Sequence, residues 1–377
     1  MAGYRQRRGA VKKTAIYLDY QATTPLAPEA FDAMLPWLRD QFANPHSAHA
    51  PGRAAAAAVE VARADVVRAL GLEGGRLVFT SGATEALNIA IQGAPPGGIV
   101  TIATEHAAVL DTVEALHRAG RSVTVLPVAS DGLVDMGAAA RAIVPGVSLV
   151  VAMLVNNEIG VIQPIDRLIA LAHAAGATFL CDAVQGYGRV PIPAGCDMVA
   201  ISGHKVHGPK GIGALWVRDG VTLSPVIHGG GQEGGLRSGT LSPALCAGFG
   251  AAARLLVARR EADAAHVVAL RAQAARLFSG WTLNGSETQR YQGNLNIRRE
   301  GLDGARLLSE CRNVAFSLGS ACASGSGRPS HVLRALGLTE AQARGSVRIG
   351  FGRYTTPDEL EEAARAINEA ASRQGLS

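Results

Sequence analysis

The sequence predicts an α/β fold dominated by a large, mostly parallel sheet, with a smaller α+β unit after it. Three observations carry this. Between Arg76 and Val217, apolar runs of strand length alternate with segments of helix length, as in a sheet covered by helices on both faces. The strand runs are apolar almost without a break, as at Met198 to Ser202, so each strand is expected to be buried on both sides. After Gly231 the texture shifts to longer helices and sparser strands. At 377 residues the chain suits two such units. We expect a large domain over 14–255, a small one over 256–377 and a basic tail over 1–13.

Taken in order, Ile16 to Tyr20 reads as a short strand, followed by the loop Gln21-Ala22-Thr23-Thr24-Pro25 and a helix over Pro28 to Leu38. Arg53 to Leu70, with its alanine run, favours helix. Strands follow at Arg76 to Thr80, Ile99 to Ala103, Ser122 to Leu126, Ser148 to Val155 and Thr178 to Asp182. Between them lie helices over Thr84 to Ile91, Val109 to Ala119, Met136 to Ile143 and Ile165 to Ala174. Met198 to Ser202 and Gly213 to Val217 complete the strand set. Beyond the glycine-rich loop Gly229 to Gly235, helices are expected from Pro243 to Arg259 and from Ala264 to Phe278. Shorter helices near Asp303 to Cys311 and Ser330 to Ala335, a last helix over Pro357 to Arg373, and strands at Asn294 to Ile297 and Ser346 to Gly350 make up the small unit.

Composition narrows the function. Charged residues are only 18% and hydrophobic residues 48%, with 45 glycines, which suits a compact enzyme and not a disordered chain. The net charge of +5 is concentrated in Arg5, Arg7, Arg8, Lys12 and Lys13; elsewhere the signs are mixed, so a solvated tail is expected rather than a nucleic-acid surface. The tail lacks an apolar core and a cleavage site, and the longest apolar run, Val147 to Val155, is strand length, so neither secretion nor a membrane span is expected. Five cysteines without a CxxC pair indicate neither a disulfide framework nor zinc, and a cytoplasmic location is the default. His46 and His49 have no acidic or cysteine partner nearby, so no metal is expected there either.

Ligands in parallel α/β sheets lie beyond the carboxyl ends of the strands, and the chemistry-bearing residues follow the strands here. Lys205, in Ser202-Gly203-His204-Lys205, leaves an apolar strand and enters a glycine-rich turn. Desolvation there would lower its pKa toward that of a Schiff-base nucleophile; the alternative is an ordinary solvated loop lysine. Asp182 ends its own strand, with Gln185 three residues on. A lysine of this kind with an acidic partner for a pyridine nitrogen is the residue pattern of a pyridoxal phosphate site, although a lone aspartate more often caps a turn. The turn Thr80-Ser81-Gly82-Ala83-Thr84-Glu85 opens a helix after a strand, and is either a phosphate cradle or a plain helix cap.

Four further residues stand out. Asn157 follows a strand and could bond a cofactor hydroxyl or a substrate carboxylate, and His106 could stack on a ring. Cys322 lies in a loop rich in serine and glycine, Ser317 to Pro329, suited to a thiol that reaches into a site, or to a small residue at a turn. Arg348, on an apolar strand, needs a carboxylate, either a substrate's or an internal one.

Together these stretches resemble the pyridoxal phosphate-dependent cysteine desulfurases of the class V aminotransferase family, in the group whose active-site cysteine sits on a long loop. The resemblance covers Ile16 to Tyr354 and rests on Tyr17-Leu18-Asp19-Tyr20, Ala22-Thr23-Thr24-Pro25, Phe79 to Glu85, Thr104-Glu105-His106, Val155 to Gly160, Asp182 to Gln185, Ser202 to Lys205, Arg237 to Thr240 and Gly319 to Cys322. It implies the type I fold of such enzymes, with a seven-stranded-type sheet, and a homodimer. It also implies roles. Lys205 would carry pyridoxal 5'-phosphate, Asp182 would pair with its ring nitrogen, Gln185 would bond its hydroxyl, and His106 would stack on the ring and assist proton transfer. Ala83, Thr84, Ser202 and His204 would hold the phosphate, with Thr240 from the neighbouring subunit; Asn157 and Arg348 would hold the substrate carboxylate, and Cys322 would accept sulfur.

The activity so implied converts L-cysteine to L-alanine and leaves a persulfide on Cys322 for an acceptor protein such as an iron–sulfur scaffold or a thiolation protein. Two features depart from the pattern: Leu318 replaces a smaller polar residue, and the sequence ends soon after its last helix, which leaves the acceptor open. A selenocysteine lyase or an aminotransferase would keep the same fold, and a non-catalytic sulfur carrier or scaffold is the reading from another class.

Overall fold

The alternation of strands and helices becomes a seven-stranded sheet in the computed structural model of the chain, which describes residues 15–318 and 330–375. The chain enters through β1 (Ile16–Tyr17), then α1 (Pro28–Arg39) and α2 (Ala50–Leu70). Pro28 starts α1, where a missing amide costs nothing. The His49 side chain caps α2 by accepting from the amide of Gly52, and Gly71 ends the helix in the left-handed region at φ 70°.

The sheet contains β2 (Gly75–Thr80), β3 (Gly98–Ile102), β4 (Val123–Leu126), β5 (Val147–Met153), β6 (Thr178–Asp182), β7 (Met198–Ser202) and β8 (Gly213–Arg218). Its spatial order is β2-β8-β7-β6-β5-β3-β4. Every neighbouring pair is parallel except those of β8, which runs antiparallel to both β2 and β7. The connecting helices are α3 (Ala83–Gly93), α4 (Ala107–Arg118), α5 (Met136–Ala142) and α6 (Ile165–Ala174). Successive residues alternate between faces. Val199, Ile201 and Trp216 pack in one core with α2 and α6, whereas Met198, Ala200 and Leu215 pack in another under α3 and α4.

α7 (Pro243–Leu277) corrects the expectation of two helices, because it is one helix of 35 residues. The polar stretch Arg259 to Ala265 interrupts the apolar period, yet it contains no glycine or proline, so nothing stops the helix. Cys246, Phe249 and Ala253 join the first core and Val267, Leu270 and Ala274 the second, so the point near residue 255 falls inside this helix. Beyond it come β9 (Thr282–Leu283), β10 (Asn294–Arg298), α8 (Gly304–Glu310), β11 (Val314–Ala315) and β12 (Ser317–Leu318). α9 (His331–Ala335), α10 (Glu340–Arg344), β13 (Ser346–Gly350) and α11 (Pro357–Ser372) complete the described chain.

An antiparallel sheet in the order β12-β13-β10-β9 forms against α7 and α11. The expected strand Ile16 to Tyr20 is shorter: two residues pair with β11, and Asp19 adds a bridge to Gly350. Ile16 and Leu18 pack in this second core. Among the described residues no helix is long and apolar enough to cross a membrane, and no group of three or more side chains could hold a metal.

Candidate active site

β7 is buried along its whole length and passes into a single 3-10 turn, Gly203 to Lys205. The amide of Gly203 donates to the Ile212 carbonyl at 3.0 Å, and that of Gly208 to the Gly203 carbonyl at 2.9 Å, which closes the loop on itself. The Gln21 to Pro25 loop straps this turn down. Thr24 donates to the His204 carbonyl from its amide and from its hydroxyl, both at 2.9 Å, and accepts from the amide of His207 at 2.7 Å. Lys205 Nζ donates to the carbonyls of Gln21 at 2.7 Å and Ala22 at 2.8 Å. Burial pulls its pKa down to about 8, with Arg348 and Arg189 adding to the fall and Asp19 and Asp182 opposing it. The solvated-lysine alternative therefore does not describe Lys205.

The amine opens on a cavity of about 600 Å³ at the carboxyl ends of the parallel strands, where Asp182, Gln185, His106 and Asn157 also lie. Ala83, Thr84, Ser202 and His204 form another part of its wall. Asp182 is buried, and desolvation raises its pKa; the Val184 amide, 3.0 Å from Oδ1, and the charges of His106 and Lys205 act against that rise. His106 caps α4, its Nδ1 accepting from the amide of Ala108 at 3.0 Å. Burial, then Lys205 and Lys210, bring the His204 imidazole down to about 4, so it is neutral at physiological pH and free to act as a hydrogen-bonding group.

The donor set fits a phosphorylated pyridine. α3 begins at Gly82 with no side-chain cap, so its first-turn amides, which no intrahelical carbonyl can satisfy, remain for an anion at the cavity wall. The plain-cap reading of this turn is not realised: the amide of Ser81 donates to Glu85 Oε2 at 2.7 Å, and Glu85 in turn pairs with Arg237. A side chain at Gly213 would place Cβ 2.7 Å from the backbone of Gly82, so a glycine is required where β8 passes behind the turn. Asp182 offers a buried carboxyl to a ring N–H, and Lys205 a partly deprotonated amine to an aldehyde.

Two expected residues stand elsewhere, and a third is not among the described residues. Arg348, on β13, does not line the cavity in this chain and already has an internal carboxylate: its Nη2 donates to Asp19 Oδ1 at 2.7 Å and to Ser317 Oγ at 2.9 Å. Its Nη1 donates to the Asn157 carbonyl at 3.1 Å, which ties it to the cavity wall. Thr240 is exposed and outside the wall of its own chain. Cys322 lies outside the described residues.

Around Gln185, assigned above to the ring hydroxyl, lie several residues that the sequence gives no role. Gln185 has both amide ends engaged, donating to the Gln21 carbonyl at 2.8 Å and accepting from Arg189 Nη1 at 2.6 Å. Glu105 is fully buried, and its Oε1 accepts from the amide of Met153, the residue paired with Asp182 in the sheet. Burial and then Asp182 push its carboxyl well above the usual range. Asp19, Gln21 and Glu105 all fall within stretches singled out above; Arg189 carries no local signal at all.

The sequence profile of the aminotransferase class-V family matches residues 16–362. A cysteine desulfurase IscS of Rickettsia bellii (strain OSU 85-389) is 43% identical over 372 residues, covering 93% of this chain and 90% of that protein. Among solved structures, a NifS-like protein superposes with a TM-score of 0.89 at 30% identity, over 96% of this chain and all 100% of that one. A structure of SspA in complex with cysteine gives a TM-score of 0.79 at 36% identity, covering 90% of this chain and 99% of the other.

Proposed function

The chain belongs to the aminotransferase class-V family, and we propose that within it the protein is a cysteine desulfurase that uses pyridoxal 5'-phosphate. One observation carries the reading: a lysine with its pKa brought to about 8 shares a cavity with a buried aspartate and an uncapped helix terminus. Relatives named for cysteine desulfurase activity and for bound cysteine point the same way.

Lys205 would hold the cofactor, Asp182 its ring nitrogen, and Ala83, Thr84, Ser202 and His204 its phosphate. Gln185 would face its ring hydroxyl and His106 one side of its ring. Bound there, the cofactor supplies an electron sink for the substrate Cα. Lys205 Nζ, partly neutral near pH 8, would take the Cα proton and return it, with His106 assisting. Asn157 and Arg348 would orient the L-cysteine carboxylate, Arg348 while still held by Asp19.

The Cys322 thiolate would attack the substrate sulfur. A sulfur–sulfur bond forms, the carbon–sulfur bond breaks, and its electron pair returns to carbon with a proton, leaving alanine and a persulfide. A second copy of the chain would contribute Thr240, and an acceptor protein, such as an iron–sulfur scaffold or a thiolation protein, would take the persulfide sulfur in the cytoplasm. Cys322→Ala is expected to retain the visible absorbance of bound cofactor and to bind L-cysteine while releasing no sulfide; sulfide release at the wild-type rate would overturn the role of Cys322. Alanine formation without any added keto acid separates this activity from transamination.

A further inference from the structure

Behind the Lys205 turn, on the side away from the cofactor cavity, lies a second cavity of about 230 Å³ between the two cores. Its apolar wall comes from Val206, Leu256, Val267, Val268 and the ring of Tyr291. Its charged residues are Arg189, Arg260, Arg290, Arg353 and Lys205, set against the single carboxylate of Asp263. That carboxylate is already shared, contacting Arg353 Nη2 at 2.7 Å and Arg259 Nε at 3.2 Å. Among the described residues Arg290 donates only to backbone carbonyls, those of Ser286, Ile159 and Asn294. Its Nε, like Nη1 of Arg353, is buried without a hydrogen-bond partner among the described residues. Arg260 is exposed on α7 and has no hydrogen-bond or ion-pair partner among the described residues. Of the other titratable groups of the wall, His207 is held neutral by burial and by Arg353, Lys205 Nζ donates to the Gln21 and Ala22 carbonyls, and burial pushes the phenols of Tyr20 and Tyr291 up.

An excess of guanidinium charge over apolar walls selects an anion that carries an apolar body. The planar guanidinium fork matches a carboxylate, and the volume lies below the roughly 300–1,000 Å³ of sites for drug-sized molecules, so the ligand must be small. We propose that this cavity is a binding site for a small apolar carboxylate, entered past Arg260, Ala264 and Val268 on the exposed side of α7. Arg189 joins the two sides of the turn: its Nη2 donates to the Lys205 carbonyl at 2.6 Å and its Nη1 to Gln185, while its guanidinium lies 5.3 Å from the ring of Tyr291. The site is independent of the cysteine desulfurase reading, because the cavity and its charges belong to the chain alone.

Calorimetric titration of the cofactor-loaded enzyme with benzoate, and in parallel with the neutral benzyl alcohol, tests the assignment. Benzoate is expected to saturate and benzyl alcohol to give no comparable binding. Arg260→Glu reverses the charge at the mouth, and Ala264→Leu narrows it; both residues are exposed on a helix, and an unchanged thermal midpoint confirms that each variant folds. Each is expected to weaken benzoate binding about tenfold or more. Absent benzoate binding, equal binding of benzyl alcohol, or unchanged affinity in either variant would overturn the proposal, the last by placing benzoate elsewhere, as at Arg348.

Discussion

The two sides of the Lys205 turn are built from opposite materials. In front, the cavity of about 600 Å³ has the carboxyl of Asp182 in its wall, with the Glu105 carboxyl fully buried behind it. Behind, the cavity of about 230 Å³ has four arginines and one shared aspartate. Lys205 faces both, its amine toward the front and its carbonyl held by Arg189 at the back. Asp19 and Asp182 act to keep the amine protonated, yet its pKa falls to about 8. Burial and the cationic surroundings therefore outweigh these two carboxyls. The amine loses its proton more readily here because it is desolvated beside guanidinium groups that cannot themselves give up a proton.

Removing the amine tests the front most severely. Lys205→Ala is expected to lower turnover of L-cysteine by at least about 10³-fold and to abolish covalent retention of cofactor; turnover within tenfold of wild type would remove Lys205 from the chemistry. Next in size is Asp182→Asn. Asparagine keeps an oxygen for the Val184 amide and deletes only the charge, so folding is preserved while kcat falls by about 10²–10³-fold with cofactor still bound. A kcat within fivefold of wild type would mean that the front carboxylate does not matter to the reaction.

The front was far more legible in the sequence than the back. Asp182, Ser202 and Lys205 each follow an apolar run, and the carboxyl end of a parallel sheet is where such runs deliver their next residues. The turn that opens α3 is legible by sequence only as a phosphate cradle or a plain helix cap; that no side chain caps it is a property of the fold. The back is assembled from residues of α7, the segments around Arg189 and Arg290, and the strand exit at Arg353, each of which looks locally like a solvated arginine. α7 itself was read as two helices, since the period of its apolar face fails where it crosses from one core to the other. β9, β11 and β12 have two residues each, too few to show any period. Arg348 had two possible carboxylate partners by sequence, and only the fold brings Asp19, at the opposite end of the chain, within 2.7 Å.

That ion pair gives a smaller and more specific test. Asp19 Oδ1 accepts from both Arg348 and Ser317, so it fixes the guanidinium that we propose meets the substrate carboxylate. Asp19→Asn retains a hydrogen-bonding oxygen and loses the charge. KM for L-cysteine is expected to rise about five- to tenfold with kcat nearly unchanged, as when a group that orients a binding residue is weakened. A fall in KM would instead show that Asp19 competes with the substrate for Arg348, and the pairing would then be a brake on binding.

The smallest effect reaches the front from the back. With a folded pKa of about 8 against the ordinary 10.5, Lys205 gains its neutral form as pH rises through about 8. Near pH 7.5 roughly a quarter of the amine is then neutral, against about 0.1% for an ordinary lysine. Between those two pKa values the unfolded chain binds the extra proton, so the stability of the cofactor-free protein should climb with pH across that window. The rate at which this protein takes up pyridoxal 5'-phosphate should follow the neutral amine, with a midpoint near pH 8. Arg189→Gln deletes one of the charges that depress Lys205, and the shorter amide can still donate to the turn. Its midpoint should therefore move upward, toward the ordinary lysine value, while Arg260→Glu, whose charge is not among those that depress Lys205 most, should leave it in place. An unmoved midpoint in Arg189→Gln would mean that the amine is tuned by burial and by Arg348 alone, and that the two sides of the turn are electrostatically separate.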